Sequence, residues 1–274
     1  SIYQKQLLEL YKNEDFVIPK TRLNEIRAFV ERGLEDFSIS RLASKMPWGI
    51  PVPNDDKQVM YVWFDALVNY VSATGWPDNV DSYKKYWIES GGVVQYCGKD
   101  NLRQQAAMWQ AMLMATKLPP SKHIIIDGFI TGEGGVKMSK SLGNTIDPLD
   151  VVKNFGADAF RYYVARELSP FEDSPFTMDM FKDAYNAHLA NGLGNLVSRT
   201  MKMAEANSIH YDASVEKELE QSEEVIHVYR SYSEGFANFN LEQATDAVWE
   251  LVTGSDKIIQ DRQPFKKLKT DFEG

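Results

Sequence analysis

Three apolar runs, each leading into a helix or a glycine turn, constrain this chain more than any other feature. "VMYVWF" (59–64) runs into the helical pattern "DALVNYVSATG". "GVVQYC" (92–97) is followed by Gly98, Lys99 and Asp100, then by the helix "NLRQQAAMWQAMLMATKL". "HIIID" (123–127) ends at Gly128. Strand–helix–strand–helix–strand with short turns is the pattern of a parallel sheet in an α/β domain, and continuously apolar strands fit burial on both faces. Ligands of such sheets lie beyond the carboxyl ends of the strands. Asp65, Asp100 and Asp127 are expected at those three ends. One aspartate alone would serve as an N-cap or turn residue, whereas three at one edge point to a polar site.

The remainder of the chain divides around this core. Residues 1–57 read as a connecting segment: a first helix ending near Asn13, a second from Pro19 to Gly33, a short strand in "DFSISR" and the proline-rich "PWGIPVPNDDK". Residues 58–129 carry the three strands, and 130–176 hold a glycine- and lysine-rich loop followed by two helices. In the first of these, Asp147 is the expected N-cap, Pro148 the first residue and Gly156 the stop. From residue 177 to 274 apolar residues recur at three and four, the pattern of a helix bundle. The opening "SIYQKQLLELYK" already reads as an amphipathic helix, so the chain is expected to begin inside a larger protein.

Composition excludes several classes. No apolar run approaches the ~18 residues a membrane span needs, and the N-terminus lacks a signal pattern. A single cysteine, Cys97, excludes internal disulfides and cysteine-rich zinc sites, which fits the reducing cytoplasm. The net charge of −9 argues against a surface that coats nucleic acid but leaves room for a local polar groove. His123, His188, His210 and His227 are scattered and form no metal pattern, so no metal site is expected.

The loop "GEGGVKMSKSLGN" (132–144) carries the chemistry. Lys137 and Lys140, three residues apart, can point at one object, and polyphosphate is the commonest object that needs two mobile cations. Gly132, Gly134 and Gly135 would let the loop close over a triphosphate and release pyrophosphate, while Ser139 and Ser141 add hydroxyl donors. The spacing is not that of a Walker A loop.

"KMSKS", Lys137 to Ser141, matches the signature of class I aminoacyl-tRNA synthetases letter for letter. "YVWFDALVNYVSATG", "SISR" with "WGIPVP", "GKDNLRQQAAMWQAMLMA" and "LANGLGNLVSRT" resemble the methionyl branch of that family, from the first helix nearly to the last residue. The resemblance implies a Rossmann-type catalytic domain, a stem-contact fold and an α-helical anticodon-binding domain. It implies activation of methionine by ATP, taken with Mg2+, to methionyl-adenylate, and transfer to tRNA(Met) for initiation and elongation of translation. Lys137 and Lys140 would stabilise the triphosphate in the transition state, and Met138 and Ser139 would lie with the nucleotide. Asp100 would hold the amino group of methionine or the adenylate ribose, with Asn101 beside it. Gly98 would allow close approach of the nucleotide, Arg41 would position the adenylate, and Ile130 would line the adenine pocket. Asn195 and Arg199 fall on anticodon-reading positions of the family, and with Asn191 they make a polar stripe at spacing four. Phe265 after Pro264 stands where the family places a base-stacking Trp.

A methionine pocket also follows from physical chemistry. A thioether is apolar and polarisable, so aromatic walls suit it. Trp63, Ala66, Leu67 and Tyr70 lie at i, i+3, i+4 and i+7, Trp109 on the next helix could close the pocket, and Tyr70 offers a hydroxyl as a polar handle. Gln105 stands where the family usually has a His facing the sulfur, and it cannot titrate. Asp127 stands where the family has a His before Gly128. The family's second signature, His-x-Gly-His, and its zinc-knuckle cysteines do not occur in this sequence. The chain thus resembles the second part of a synthetase lacking its N-terminal half. Two rival readings are a class I synthetase for another aliphatic amino acid and a non-catalytic tRNA-binding relic. The 274-residue chain alone is expected to show no ATP–pyrophosphate exchange, and measurable exchange by the purified chain would contradict this.

Overall fold

Ile124, Ile125 and Ile126 are fully buried, and the strand carrying them is the centre of a parallel sheet. The computed structural model describes residues 2–266, the side chain of Lys140 excepted. The chain divides into two compact units, Ser1–Asp127 and Gly128–Gly274.

The first unit runs α1 (Gln4–Leu10), β1 (Val17–Ile18), α2 (Lys20–Glu31), β2 (Ser40–Leu42), β3 (Pro51–Val52), β4 (Asp55–Met60), α3 (Val62–Ser72) and α4 (Val80–Tyr83). A π-helical turn at Lys84–Glu89 and strand β5 (Val94–Gly98) follow. After them come a 3-10 turn at Lys99–Asn101, a second π-helical segment at Gln104–Trp109, α5 (Gln110–Ala115) and β6 (His123–Asp127). The parallel sheet has the order β1-β6-β5, with Val17 opposite Ile124 and Gly98 opposite Asp127. On the isoleucine strand pack Leu7, Tyr11, Leu23, Ile26 and Val30 from the two leading helices, and Leu102 and Ala106 from the segment after β5. The Tyr11 hydroxyl donates to the carbonyl of Ala106 at 2.7 Å, so this buried phenol is satisfied.

This sheet corrects one expectation from the sequence. "VMYVWF" is not a parallel strand: β4 belongs to a separate antiparallel sheet, β2-β4-β3, with Arg41 opposite Val59. Asn54, at φ 66°, makes the turn that folds charged Asp55–Lys57 back on β3, and helix begins at Val62. A short apolar run cannot be told from a buried helical turn by periodicity alone, and here turn chemistry decides. The third parallel strand is instead Val17–Ile18, in a stretch read as helical and then irregular. Asp65 therefore lies in the first turn of α3, exposed, and not at a strand end.

The second unit begins with β7 (Ile130–Thr131), parallel to β8 (Ser174–Pro175), with α6 (Pro148–Phe155) and α7 (Ala157–Glu167) between them. Asp147 Oδ1 accepts from the backbone of Leu149 at 2.9 Å, Pro148 opens α6 and Gly156 closes it at φ 88°, as expected. The strand is followed by α8 (Met178–Ala184), a π-helical stretch at Tyr185–Gly194 and α9 (Asn195–Ala206), one continuous helix. The bundle ends with α10 (Ala213–Glu220), α11 (Glu223–Ala237) and α12 (Leu241–Arg262), whose N-termini are capped by Asp212, Ser222 and Asn240. Val151, Tyr163, Leu168, Phe176 and Phe181 form the apolar centre. Arg166 of α7 ties the bundle together: it donates to Asp246 at 3.1 Å and to His188 Nδ1 at 2.7 Å, and its guanidinium lies 5.2 Å from the ring centroid of Trp249. His188 Nδ1 also lies 3.1 Å from Glu167 Oε1, so this histidine is held between two side chains of α7, a structural role.

Helices α11 and α12 meet at Gly235, where an added Cβ would lie 2.6 Å from the backbone nitrogen of Ala244. Ala244 and Ala247 are buried at this crossing, so nothing flexible can yield. Gly235→Ala is expected to cost about 1–3 kcal/mol by overpacking. A lower chemical-denaturation midpoint checks this, and an unchanged midpoint would mean the helices do not approach so closely.

Candidate active site

At the carboxyl ends of β5 and β6, Gly98 and Asp127 face each other in register, and the 3-10 turn carries Asp100 and Asn101 just beyond. Asn101 Nδ2 donates to Asp100 Oδ1 at 3.4 Å, and the Asp100 carboxylate is exposed. Two acids thus stand at this edge, and Asp65 does not join them. Burial pushes the Asp127 carboxyl up to about 6. The Cys97 thiol is pushed up to about 12 by burial, with the carboxylates of Asp127 and Asp100 adding to it, so this cysteine is protonated and unreactive at neutral pH.

Beside this edge α3 and the π-helical segment build an aromatic box. Leu67 and Trp109 are buried, and Trp63 and Tyr70 are half-buried members of the same cluster. The Tyr70 and Trp109 rings are 5.9 Å apart, and Trp87 backs Trp109 edge-on at 6.2 Å. Trp109 Nε1–H is buried with no hydrogen-bond partner among the described residues. Ala66 is exposed on α3 and is not a member of the cluster. Gln105, 3% exposed, donates from Nε2 to Tyr70 Oη at 2.8 Å. Sequence spacing did not reveal what holds Gln105: a buried set of Gln95, Gln110 and Ser121.

Arg41 in β2 donates to the carbonyls of Ser38 and Ser40 at 3.0 and 2.8 Å, and its guanidinium lies 4.1 Å from the centroid of the Tyr61 ring. Two carbonyls and an aromatic face fix its charge at the start of α3.

In the second unit the loop is anchored at two points. Met138 packs against the apolar centre. Asn144 accepts from the backbone N–H of Ser139 at 2.9 Å and donates to the carbonyl of Lys137 at 3.3 Å. Gly134 and Gly135, at φ 67° and 77°, make the left-handed turn that brings Lys137 into a bridge with Thr131. Lys137 is exposed, its ammonium 5.2 Å from the centroid of the Phe129 ring. Ser139 Oγ lies 3.2 Å from Ser141 Oγ, and Ile130 is half-exposed at the base of the loop. The Lys140 side chain lies outside the described residues. Asn144 is a loop residue that sequence reading did not single out, and its only signal was a lone amide after Gly143.

On α9, Asn195 is exposed and Arg199 pairs with Asp256 of α12 at 3.0 Å, so only part of the expected polar stripe is open. Asn191 is exposed in the π-helical stretch, and Phe265 is 43% exposed after the end of α12. Among the described residues no cluster of three or more His, Cys, Asp or Glu could hold a metal ion. No helix among them is long and apolar enough to cross a membrane.

The raised Asp127 predicts a pH dependence. Unfolded, this carboxyl titrates near 3.8, and folded, near 6. Its contribution to stability is therefore fully present below about pH 4 and is lost as pH rises through about 6. Asp127→Asn, neutral throughout, is expected to gain Tm relative to the parent between pH 4 and 7. A Tm difference that stays flat over that range would show an ordinary carboxylate.

A family model described as "tRNA synthetases class I (M)" matches residues 1–201. Methionine–tRNA ligase of Thermosynechococcus vestitus is 38% identical over 280 residues, which cover 98% of this chain and 52% of that protein. The ligase of Rickettsia typhi is 45% identical over 207 residues, 75% of this chain and 40% of that protein. The chain thus spans about half the length of the curated relatives it matches. Among solved structures, Mycobacterium tuberculosis methionyl-tRNA synthetase bound by methionyl-adenylate superposes with a TM-score of 0.87 at 32% identity, over 100% of this chain and 54% of that one. A parallel α/β sheet, a KMSKS loop and a helical bundle in one chain agree with these matches, and the chain belongs to the class I tRNA synthetases of the M type.

Proposed function

We propose that this chain is part of a methionine–tRNA ligase, in which it holds methionine, contributes to the neutralisation of ATP and reads tRNA(Met). In that reaction the methionine carboxylate attacks the α-phosphate of ATP, taken as its Mg2+ complex. Methionyl-adenylate forms, pyrophosphate leaves, and the methionyl group then passes to the 3′ end of the tRNA. The observation that carries the reading is the hydroxyl of Tyr70 in a box of Trp63, Leu67 and Trp109. An apolar, polarisable side chain with one weak acceptor atom is what such a box fits, and the thioether of methionine is that group. Leucine, isoleucine and valine have no acceptor for the hydroxyl, which favours methionine over the other aliphatic substrates. The tyrosine hydroxyl would donate to the sulfur. Asp100, exposed at the strand edge with Asn101, would take the amino group of methionine or the adenylate ribose. Gly98 would admit the nucleotide, and Arg41 would position the adenylate.

In the second unit Lys137 and Lys140 would neutralise charge developing on the triphosphate, the main work of catalysis in such transfers. Met138 and Ser139 would hold the loop in shape, and Ile130 would line the adenine pocket. Asn195 and Arg199 would read the anticodon, with Phe265 offering a face for base stacking. In this reading residues 58–129 are catalytic, 130–176 are the loop and stem-contact fold, and 177–274 bind the anticodon. Residues 1–57 lead in, and the ligase acts in the cytoplasm.

Paired assays on the complete enzyme test the reading. Methionine is expected to drive ATP–pyrophosphate exchange, and Lys137→Ala and Lys140→Ala each to slow it about 10²-fold. Arg199→Ala is expected to slow tRNA charging far more than exchange. Exchange driven by leucine, isoleucine or valine in place of methionine overturns the amino acid. Lysine variants at parental rate overturn the triphosphate role, and equal loss in both assays for Arg199→Ala overturns the anticodon role.

A further inference from the structure

Gln95, Gln105, Gln110 and Ser121 are each no more than 3% exposed, and they hydrogen-bond one another beneath the aromatic box. Three buried carboxamides in one place are costly unless each donor meets an acceptor. The direction of every bond in this set follows from one group that has no choice. The backbone N–H of Ser121 can only donate, and it lies 3.1 Å from Gln110 Oε1. Gln110 Nε2 therefore faces the other way, donating to the Gln105 carbonyl and to Ser121 Oγ, each at 3.1 Å. Having accepted that proton, Ser121 Oγ gives its own to Gln95 Oε1. Gln95 must then present Nε2 to Gln105 Oε1, at 3.3 Å. Gln105 in turn must present Nε2 to Tyr70 Oη, at 2.8 Å.

The Tyr70 oxygen is thus occupied as an acceptor, and among the described residues its own proton meets no protein acceptor. We infer that Ser121, Gln110 and Gln95 are positioning residues that lock Gln105 as a donor and so commit the Tyr70 proton to the sulfur of the substrate. The inference rests on the proposed reading of the box as a methionine pocket. Without the lock, the Gln105 carboxamide can turn over and offer Oε1 to Tyr70. The hydroxyl then donates inward, and the pocket keeps its shape but loses its donor. In the locked state that turn would set Gln105 Nε2 against Gln95 Nε2, donor against donor in a dry interior. A carboxamide does not titrate, so the set takes its direction from the Ser121 N–H and not from pH.

The readout is the ratio of kcat/KM for methionine to that for norleucine, in which CH2 replaces sulfur, measured by pyrophosphate exchange on the complete enzyme. Both substrates fill the box, and only methionine can accept from Tyr70. Ser121→Ala removes the proton given to Gln95 and is expected to lower the ratio about tenfold, the equivalent of one hydrogen bond. Ser121→Thr, which keeps the hydroxyl, is expected to restore it. Gln95→Leu leaves the Ser121 turn intact and carries the same expectation where Ser121→Ala does not fold. In a Tyr70→Phe background Ser121→Ala is expected to change the ratio no further. A purely structural role would lower both substrates together, and an unchanged ratio in Ser121→Ala and Gln95→Leu overturns the inference. If Tyr70→Phe lowers the ratio while those two variants do not, the lock fails and the methionine pocket stands. If Tyr70→Phe itself leaves the ratio unchanged, the pocket reading fails and the lock with it.

Discussion

Everything placed in the first unit depends on the pairing of one strand on both its sides. His123–Asp127 bonds to β5 on one edge and to β1 on the other, and its three isoleucines are fully buried. Burial of one such side chain contributes about 1.5–3 kcal/mol, so this strand has little freedom to shift register. Register is what matters for the site. It sets Asp127 opposite Gly98 at the carboxyl end, and two residues before the strand it sets Ser121 under the box. One apolar run thus fixes both the acid at the strand edge and the backbone N–H from which the glutamine set takes its direction.

Features written in local chemistry were legible in the sequence. Asp147, Pro148 and Gly156 delimit α6 because a cap, a preset φ and a positive φ are properties of single residues. The parallel α/β class was legible too, yet one of its three strands was misplaced. Residues 59–64 are apolar enough for a buried strand, but Asn54 turns the preceding chain back into a hairpin and the remainder winds into α3. The true partner, Val17–Ile18, is too short to carry any period. The glutamine set was hidden for a different reason. Gln105 and Gln110 are five apart, on different faces of an α-helix, and they share a face because Gln104–Trp109 is wound as a π-helix. A five-residue period is not one that sequence patterns are read for.

The loop shows how motif letters divide labour. Between Lys137 and Lys140 stands a half-buried methionine that packs against the apolar centre, so the chain is pinned between the two lysines of the motif. Asn144 closes the turn by bonding to the backbone on both sides of that methionine. Glycines expected as hinges have a static use first, since Gly134 and Gly135 hold the left-handed turn that starts the loop. On α9 the opposite lesson holds. Arg199 reads as open from its own helix, and the acid that restrains it, Asp256, is far off in sequence, where no local pattern reaches.

The same sheet has a consequence during synthesis. Val17 meets its partner Ile124 only after roughly a hundred further residues have been made. At about 5–20 residues per second, Leu23, Ile26 and Val30 are made on the order of 5–20 seconds before Ile124 and Ile126, which complete their core. The last strand of the first unit is therefore also the one that completes its parallel sheet, because β1 and β5 are joined only through His123–Asp127.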